Sequence, residues 1–298
     1  AGNDTIHGSV KADSIDGGAG TGDTYVTSTA QLAANIEGAG TGTSTGIVIN
    51  LGATALTNAN VLSTTLKNLA GTLTSVESGK VAYLFDAALN TNSAVVDTLS
   101  NIENITLAGN GVNYVVGSDA ANMITGGSGV DTISGGKGAD TITGGAGADV
   151  MTGGADADDF VIGATDSLNT ALDTISDYTA GSDDLILFSS PTALVAAGAA
   201  GNAAGADLVA AANYASSGTT SGTLATDLAA IVLLQGANAF DDVGDTIVVT
   251  ITGASVAGTG VTYVIQNQAA NATYDAAADT VIALIGTSTA PTVLADFI

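Results

Sequence analysis

Cysteine is absent from the 298 residues, which removes disulfide bonds, thiolate metal sites and a thiol nucleophile at once. That absence does not place the chain in the cytosol, because an exported protein held together by other means can dispense with disulfides. Lysine and arginine together number four against 29 aspartates and glutamates, a formal net charge of −25. Four cations build no basic patch, so nucleic acid is excluded as a partner and an anionic membrane surface is disfavoured. Tryptophan is missing and aromatics make up 4%, which argues against a carbohydrate-binding cleft. Histidine occurs once, at His7, and His-Glu-x-x-His and P-loop patterns do not occur. No nucleophile with its base can be assembled from this inventory, and a glycosidase-like acid pair is the one catalytic class left open by counting. Although 46% of the residues are hydrophobic and the mean hydropathy is +0.41, the richest window, Ala193 to Ala212, is alanine and glycine interrupted by Asn202 and Asp207. It is no membrane span. The chain opens without a charged segment followed by an apolar one, and it starts inside a repeat unit, so a fragment or a processed piece is expected.

Glycine and aspartate are abundant, and they are periodic. From Gly126 to Asp158 a nine-residue unit recurs without a break: Gly126-Gly-Ser-Gly-Val-Asp131-Thr-Ile-Ser, Gly135-Gly-Lys-Gly-Ala-Asp140-Thr-Ile-Thr, Gly144-Gly-Ala-Gly-Ala-Asp149-Val-Met-Thr, and Gly153-Gly-Ala-Asp156-Ala-Asp158-Asp-Phe-Val. The unit resembles the calcium-binding nonapeptide of the repeats-in-toxin (RTX) family. Glycines at its first, second and fourth places permit positive φ and close approach of carbonyls. Carbonyl oxygens and a carboxylate are hard ligands, suited to calcium and poorly suited to zinc or copper. The candidate ligands of this block are Gly127, Gly129, Asp131, Gly136, Gly138, Asp140, Gly145, Gly147, Asp149, Gly154, Asp156 and Asp158. The three residues after each aspartate alternate polar and apolar as a short half-buried strand does, which points Ile133, Ile142, Met151 and Phe160 inward. A Gly-rich linker with turn-forming aspartates is the plainer alternative, but a linker has no reason to place an apolar residue two positions after every aspartate.

The resemblance implies a fold: an all-β parallel β-roll or β-helix solenoid with calcium in its turns, followed by a mainly β C-terminal module with short helices. It also implies that units two apart stack, grouping Asp131 with Asp149 and Asp140 with Asp158. Read backwards, the period reaches Gly117-Ser-Asp-Ala-Ala-Asn122 and Ala108-Gly-Asn-Gly-Val-Asn113, where asparagine keeps the oxygen and drops the charge. Asn113 and Asn122 are therefore expected to be weak ligands. A second block at the N-terminus, within residues 1–26, places Asp4, Asp13 and Asp23 at the ligand position, with Lys11 in a glycine place and His7 at an outward one.

Residues 27–107 lose the glycine rhythm but keep β-branched runs at Gly46–Leu51, Lys80–Phe85, Val95–Leu99 and Asn101–Leu107. They read as metal-poor solenoid rungs or as a separate small β-domain. Residues 108–190 comprise the main roll and a segment around Asp173, Asp177 and Asp183 that is similar to the closing cap of RTX rolls; its acids either bind calcium or only solvate the cap. A stack needs such a cap because its last rung otherwise exposes an apolar face and an unpaired edge. In residues 191–298, alanine content suggests short helices at Ala203–Ala215 and Leu224–Leu234, and strands are expected at Thr246–Thr252, Val261–Gln266 and Thr280–Gly286. The terminal Leu294-Ala-Asp296-Phe297-Ile298 resembles the uncleaved signal of type I secretion substrates, and is otherwise an ordinary chain end.

Two functions follow from the resemblance. The composition is most like the C-terminal part of an RTX-type surface-layer protein: non-enzymatic, exported by the type I secretion machinery, folded by calcium, and self-assembled into a sheet on a Gram-negative cell surface. The alternative is the calcium-binding export tail of a secreted enzyme, toxin or adhesin whose active part lies upstream.

Overall fold

The computed structural model describes residues 2–8, 13–27, 44–57, 75–76, 78–85, 96–168, 170–179, 184–188, 194–196, 206–214, 245–251, 261–268 and 273–285. All regular structure among them is strand. The chain divides into two compact units, Ala1–Gly145 with Gly154–Asp156, and Ala146–Gly153 with Ala157–Ile298.

The first unit is built on β1 (Thr5–His7), β2 (Ser14–Asp16), β3 (Thr24–Val26), β4 (Ser44–Asn50), β5 (Leu56–Thr57), β6 (Ser75–Val76), β7 (Lys80–Phe85), β8 (Val96–Ser100), β9 (Asn104–Thr106), β10 (Tyr114–Val116), β11 (Met123–Thr125), β12 (Thr132–Lys137) and β13 (Thr141–Thr143). Successive repeat strands alternate between two sheets. One parallel ladder runs β1-β3-β9-β11-β13, and the other pairs β12 with β10 and β10 with β4. Tyr114 lies opposite Thr132, and Met123 opposite Thr141, so units two apart stack. Each three-residue strand sends its middle side chain inward: Tyr25, Ile105, Ile124 and Ile142 form one column, Val115 and Ile133 part of the other, all without solvent exposure. A core of one apolar residue per nine-residue turn is thin, and the backbone ladder and turns must supply the rest of the specificity.

Of the described strands of residues 27–107, β4, β8 and β9 pair with the repeat strands. β4 joins β10 in parallel, then β7 pairs antiparallel with both β4 and β8, and β8 returns to parallel pairing with β2. The other ladder bypasses this insertion, because β3 pairs directly with β9. The run Asn101–Leu107 is strand only over β9, since Asn101 turns the chain with a φ of 50°.

The second unit holds β14 (Val150–Ala155), within which the division falls, β15 (Asp159–Ile162), β16 (Asp173–Ile175), β17 (Leu185–Phe188), β18 (Leu194–Ala196), β19 (Ala206–Tyr214), β20 (Thr246–Ile251), β21 (Val261–Gln266) and β22 (Thr280–Leu284). β15 pairs with β17, and β14 with β16, in parallel. Met151, Phe160, Ile175 and Ile186 are fully buried, and Tyr178 lays its ring 6.5 Å from that of Phe160. β16 is joined in parallel by β22, from which β21 and β20 continue antiparallel. The expected helix at Ala203–Ala215 is strand β19 instead, paired with β18 on one side and β20 on the other. Local alanine propensity, below about 1 kcal/mol per residue, is outweighed by two ladders of backbone hydrogen bonds. Lys11, Asp183, Leu224–Leu234 and Leu294–Ile298 lie outside the described residues.

Candidate metal centre

Seven turns among the described residues share one hydrogen-bond rule. The backbone N–H at the ligand place donates to the acid at the ligand place of the next stacked turn: Asn113 to Asp131 Oδ1 (3.0 Å), Asn122 to Asp140 Oδ1 (2.7 Å), Asp149 to Asp173 Oδ1 (3.0 Å) and Asp158 to Asp184 Oδ1 (3.1 Å). The N-terminal block follows it, with Asp4 donating to Asp23 Oδ1 (2.6 Å), Asp13 to Asp97 Oδ1 (2.9 Å) and Asp23 to Glu103 Oε2 (2.9 Å). These acids thus stand in columns inside the turns, and Asp23, Asp131, Asp140, Asp149, Asp158 and Asp173 are almost wholly withdrawn from solvent.

Each column has a second face. Asp23 Oδ2 and Asp173 Oδ2 are buried and accept no hydrogen bond. A buried carboxylate oxygen in that position costs about 1–3 kcal/mol or more. Burial, reinforced by the charges of Asp149 and Asp166 and opposed by the Asp149 N–H, pushes the Asp173 carboxyl up to about 8. A carboxyl held so far above its usual range gains strongly from a divalent cation.

The glycines make room for this arrangement, each place for a different reason. A Cβ on the first-place Gly126 would fall 2.6 Å from Asp131 Oδ2, and one on Gly153 would strike the carboxylate of Asp158. The first place therefore needs glycine because the carboxylate of its own unit folds back onto it; positive φ, expected there from the sequence, is confined to later places. At the second place Gly127, Gly136, Gly145 and Gly154 have φ of 108°, 117°, 93° and 117°. A Cβ on Gly145 would overlap the carbonyl oxygen of Gly127, and one on Gly154 that of Gly136. Stacked turns so bring their carbonyls into the approach a hard cation needs. At the fourth place Gly138 takes φ of 96°, while Asp156 takes 80° in the last unit and accepts the Gly138 N–H on Oδ2 (3.2 Å). Aspartate is among the few side-chain-bearing residues that tolerate that region.

The sequence-expected residues divide as follows. Asp4, Asp13, Asp23, Asn113, Asn122, Asp131, Asp140, Asp149, Asp158 and Asp173 all take their place in the hydrogen-bonded columns, whereas the implied partners Asp131 and Asp149, and Asp140 and Asp158, are divided between the two units. Asp177 serves the cap by accepting the Gly153 N–H (3.0 Å). Three acids in column positions were missed: Asp97, Glu103 and Asp184. None follows a glycine-rich turn, yet each stands two residues before an inward apolar side chain (Leu99, Ile105, Ile186), as Asp131 stands before Ile133. That spacing alone would have found them.

A family model of the RTX calcium-binding nonapeptide repeat, in four copies, matches residues 1–21, 107–142 and 125–160. The glycine-rich blocks are RTX repeats. No curated protein matches the chain. RTX nonapeptides are calcium-binding motifs, and the residues present here fit that ion: buried carboxylate oxygens, carbonyls packed against stacked glycines, and no soft donor. Among the described residues no three acidic or histidine side chains form a cluster. Among the described residues, no helix is long and apolar enough to cross a membrane.

Proposed function

We propose that this chain is a structural, non-enzymatic segment of an RTX-type surface layer on a Gram-negative bacterium, exported by type I secretion and folded and assembled into a sheet by calcium outside the cell. Calcium binding rests on the repeats. The observation that carries the reading further is the insertion between the two blocks: β4, β7 and β8 are built into the same sheet as the repeat strands, an investment that an export tail does not require. The scarcity of cations and the lack of a nucleophile with its base support a structural role, and His7 is an exposed residue of β1.

The ligand columns would be Asp131, Asp140, Asp149, Asp158 and Asp173 with the carbonyls of Gly127, Gly129, Gly136, Gly138, Gly145, Gly147 and Gly154, and Asp4 and Asp23 in the N-terminal block. Bound calcium supplies positive charge against buried carboxylates. In a calcium-poor cytosol, 25 uncompensated negative charges oppose collapse and keep the chain threadable. Extracellular modules with such ligands bind at roughly 10⁻⁴ to 10⁻³ M, which couples folding to the outside medium. Electron microscopy of the purified chain tests the reading. Ordered sheets in millimolar calcium that disperse in chelator support it; monomers under both conditions point to the export tail of a larger secreted protein.

A further inference from the structure

The turns of the first unit are not equivalent. In the turn of Asn113 the side-chain oxygen accepts the Ile47 N–H (3.1 Å), which fixes the amide orientation. The amide nitrogen then faces three oxygens, Gly111 O at 3.1 Å, Gly126 O at 3.3 Å and Asp131 Oδ1 at 2.8 Å. Two carbonyls and a carboxylate from stacked turns are the donor set a calcium ion would draw on, and here they converge on an NH₂ group. Asn122 closes its turn with a different set: its oxygen accepts the Ser118 N–H (2.7 Å), its nitrogen donates to one carbonyl, that of Glu103 (2.5 Å), and to Ser118 Oγ (3.1 Å), and the stacked Asp140 carboxylate takes its backbone N–H. At Asp97 the Tyr25 hydroxyl donates to Oδ2 (2.8 Å) while the Asp13 N–H takes Oδ1 (2.9 Å), so both oxygens of this buried carboxylate are hydrogen-bonded. Against Asp97 stand Asp23 and Asp173, whose Oδ2 atoms are equally buried without a donor.

We infer that the Asn113 and Asn122 amides and the Tyr25 hydroxyl stand in for the cation, making their turns calcium-independent and giving the roll a metal-free seed on which the calcium-requiring turns build. The inference deepens the calcium-folding reading and rests on it only for the second half of that statement. Amide hydrogens carry partial positive charge toward the same oxygens a cation would face, and they do so without a second buried carboxylate to repel the first. On this inference the asparagines close their turns rather than serve as weak ligands. Because the seed joins β4 to β10 through Ile47 and Asn113, it fastens the insertion to the repeat ladder before any ion is bound.

Hydrogen exchange of the full chain with calcium and with chelator tests this. Protection at the N–H groups of Ile47, Asn113 and Thr132 is expected to persist in chelator, while that of Asp149 and Thr174 is lost by tenfold or more. Loss of protection at both sets overturns the seed and leaves calcium folding intact; calcium-insensitive protection everywhere overturns calcium folding instead. Two variants sharpen the result. Asn113→Asp is expected to bind one more calcium per chain than the parent, by calorimetric titration, and to lower the urea midpoint in chelator. Tyr25→Phe is expected to lower that midpoint in chelator. An unchanged ion count for the first, or an unchanged midpoint for the second, contradicts the assignment.

Discussion

The RTX turns and the C-terminal sheet solve the same problem in opposite ways. In the turns, strands of three residues bury only their middle side chain, and what surrounds each buried aspartate is backbone N–H, carbonyl and glycine. In β20–β22 nearly every residue is buried on both faces, and Ile247, Val249, Tyr263, Ile265, Val281 and Ala283 form a core with Leu172, Val261 and Tyr274 packed against it. One region is held by oxygen donors waiting for charge, the other by apolar area that needs none. The lesson is that a single chain places its calcium-binding motifs where its core is thinnest.

That contrast yields predictions of decreasing size. Ile265→Ala, in the apolar sheet, is expected to cost about 2–5 kcal/mol of unfolding free energy and to leave the number of bound calcium ions unchanged. Urea titration and calorimetry together check it; a lost ion would erase the distinction between the regions. Gly145→Ala forces a side chain to φ of 93° and into the Gly127 carbonyl. Its expected cost is about 1–3 kcal/mol, here accompanied by weaker calcium binding. Asp140→Ala removes a fully enclosed column acid, whereas Asp13 is only half-buried. The first substitution is expected to weaken calcium binding about tenfold, equivalent to about 1.4 kcal/mol, and the second less, as read by parallel titrations.

The smallest effect is a pH dependence in the C-terminal sheet. Burial raises the Asp279 carboxyl above its ordinary value of 3.8, against the opposing hydrogen bonds from the Gln268 and Asp275 N–H groups. A carboxyl raised on folding contributes stability below its unfolded value and loses it as pH climbs through the folded one. The sheet is therefore expected to lose stability with rising pH, starting near pH 4, and Asp279→Asn to flatten that slope in urea midpoints measured across the range.

Much of the roll was legible because its rule is local. Asp131-Thr-Ile-Ser and Asp140-Thr-Ile-Thr announce an acid, then an outward, an inward and an outward residue, and the structure buries Ile133, Ile142, Met151 and Phe160 completely. The strands at Lys80–Phe85 and Val261–Gln266 were equally plain from their β-branched runs. Three things were hidden for physical reasons. Asp97 and Glu103 sit in the acid columns without a glycine turn before them, so a reading keyed to glycine passed over them, and after Gly181 the column acid is Asp184 rather than the expected Asp183. The antiparallel pairing of β7 and the strand at Ala206–Tyr214 depend on partners distant in sequence, to which local propensity is blind. The first-place glycine looked like a conformational requirement, whereas it is a packing one, set by a carboxylate five residues later in the Gly126 turn.

The central claim, that calcium folds the RTX roll, is tested most directly by circular dichroism during a calcium titration of the full chain starting from chelator. The account predicts a saturable gain of β-signal in the range of roughly 10⁻⁴ to 10⁻³ M, above a baseline already contributed by the apolar C-terminal sheet and the hydrogen-bonded seed. A β-signal identical in chelator and in saturating calcium would contradict it.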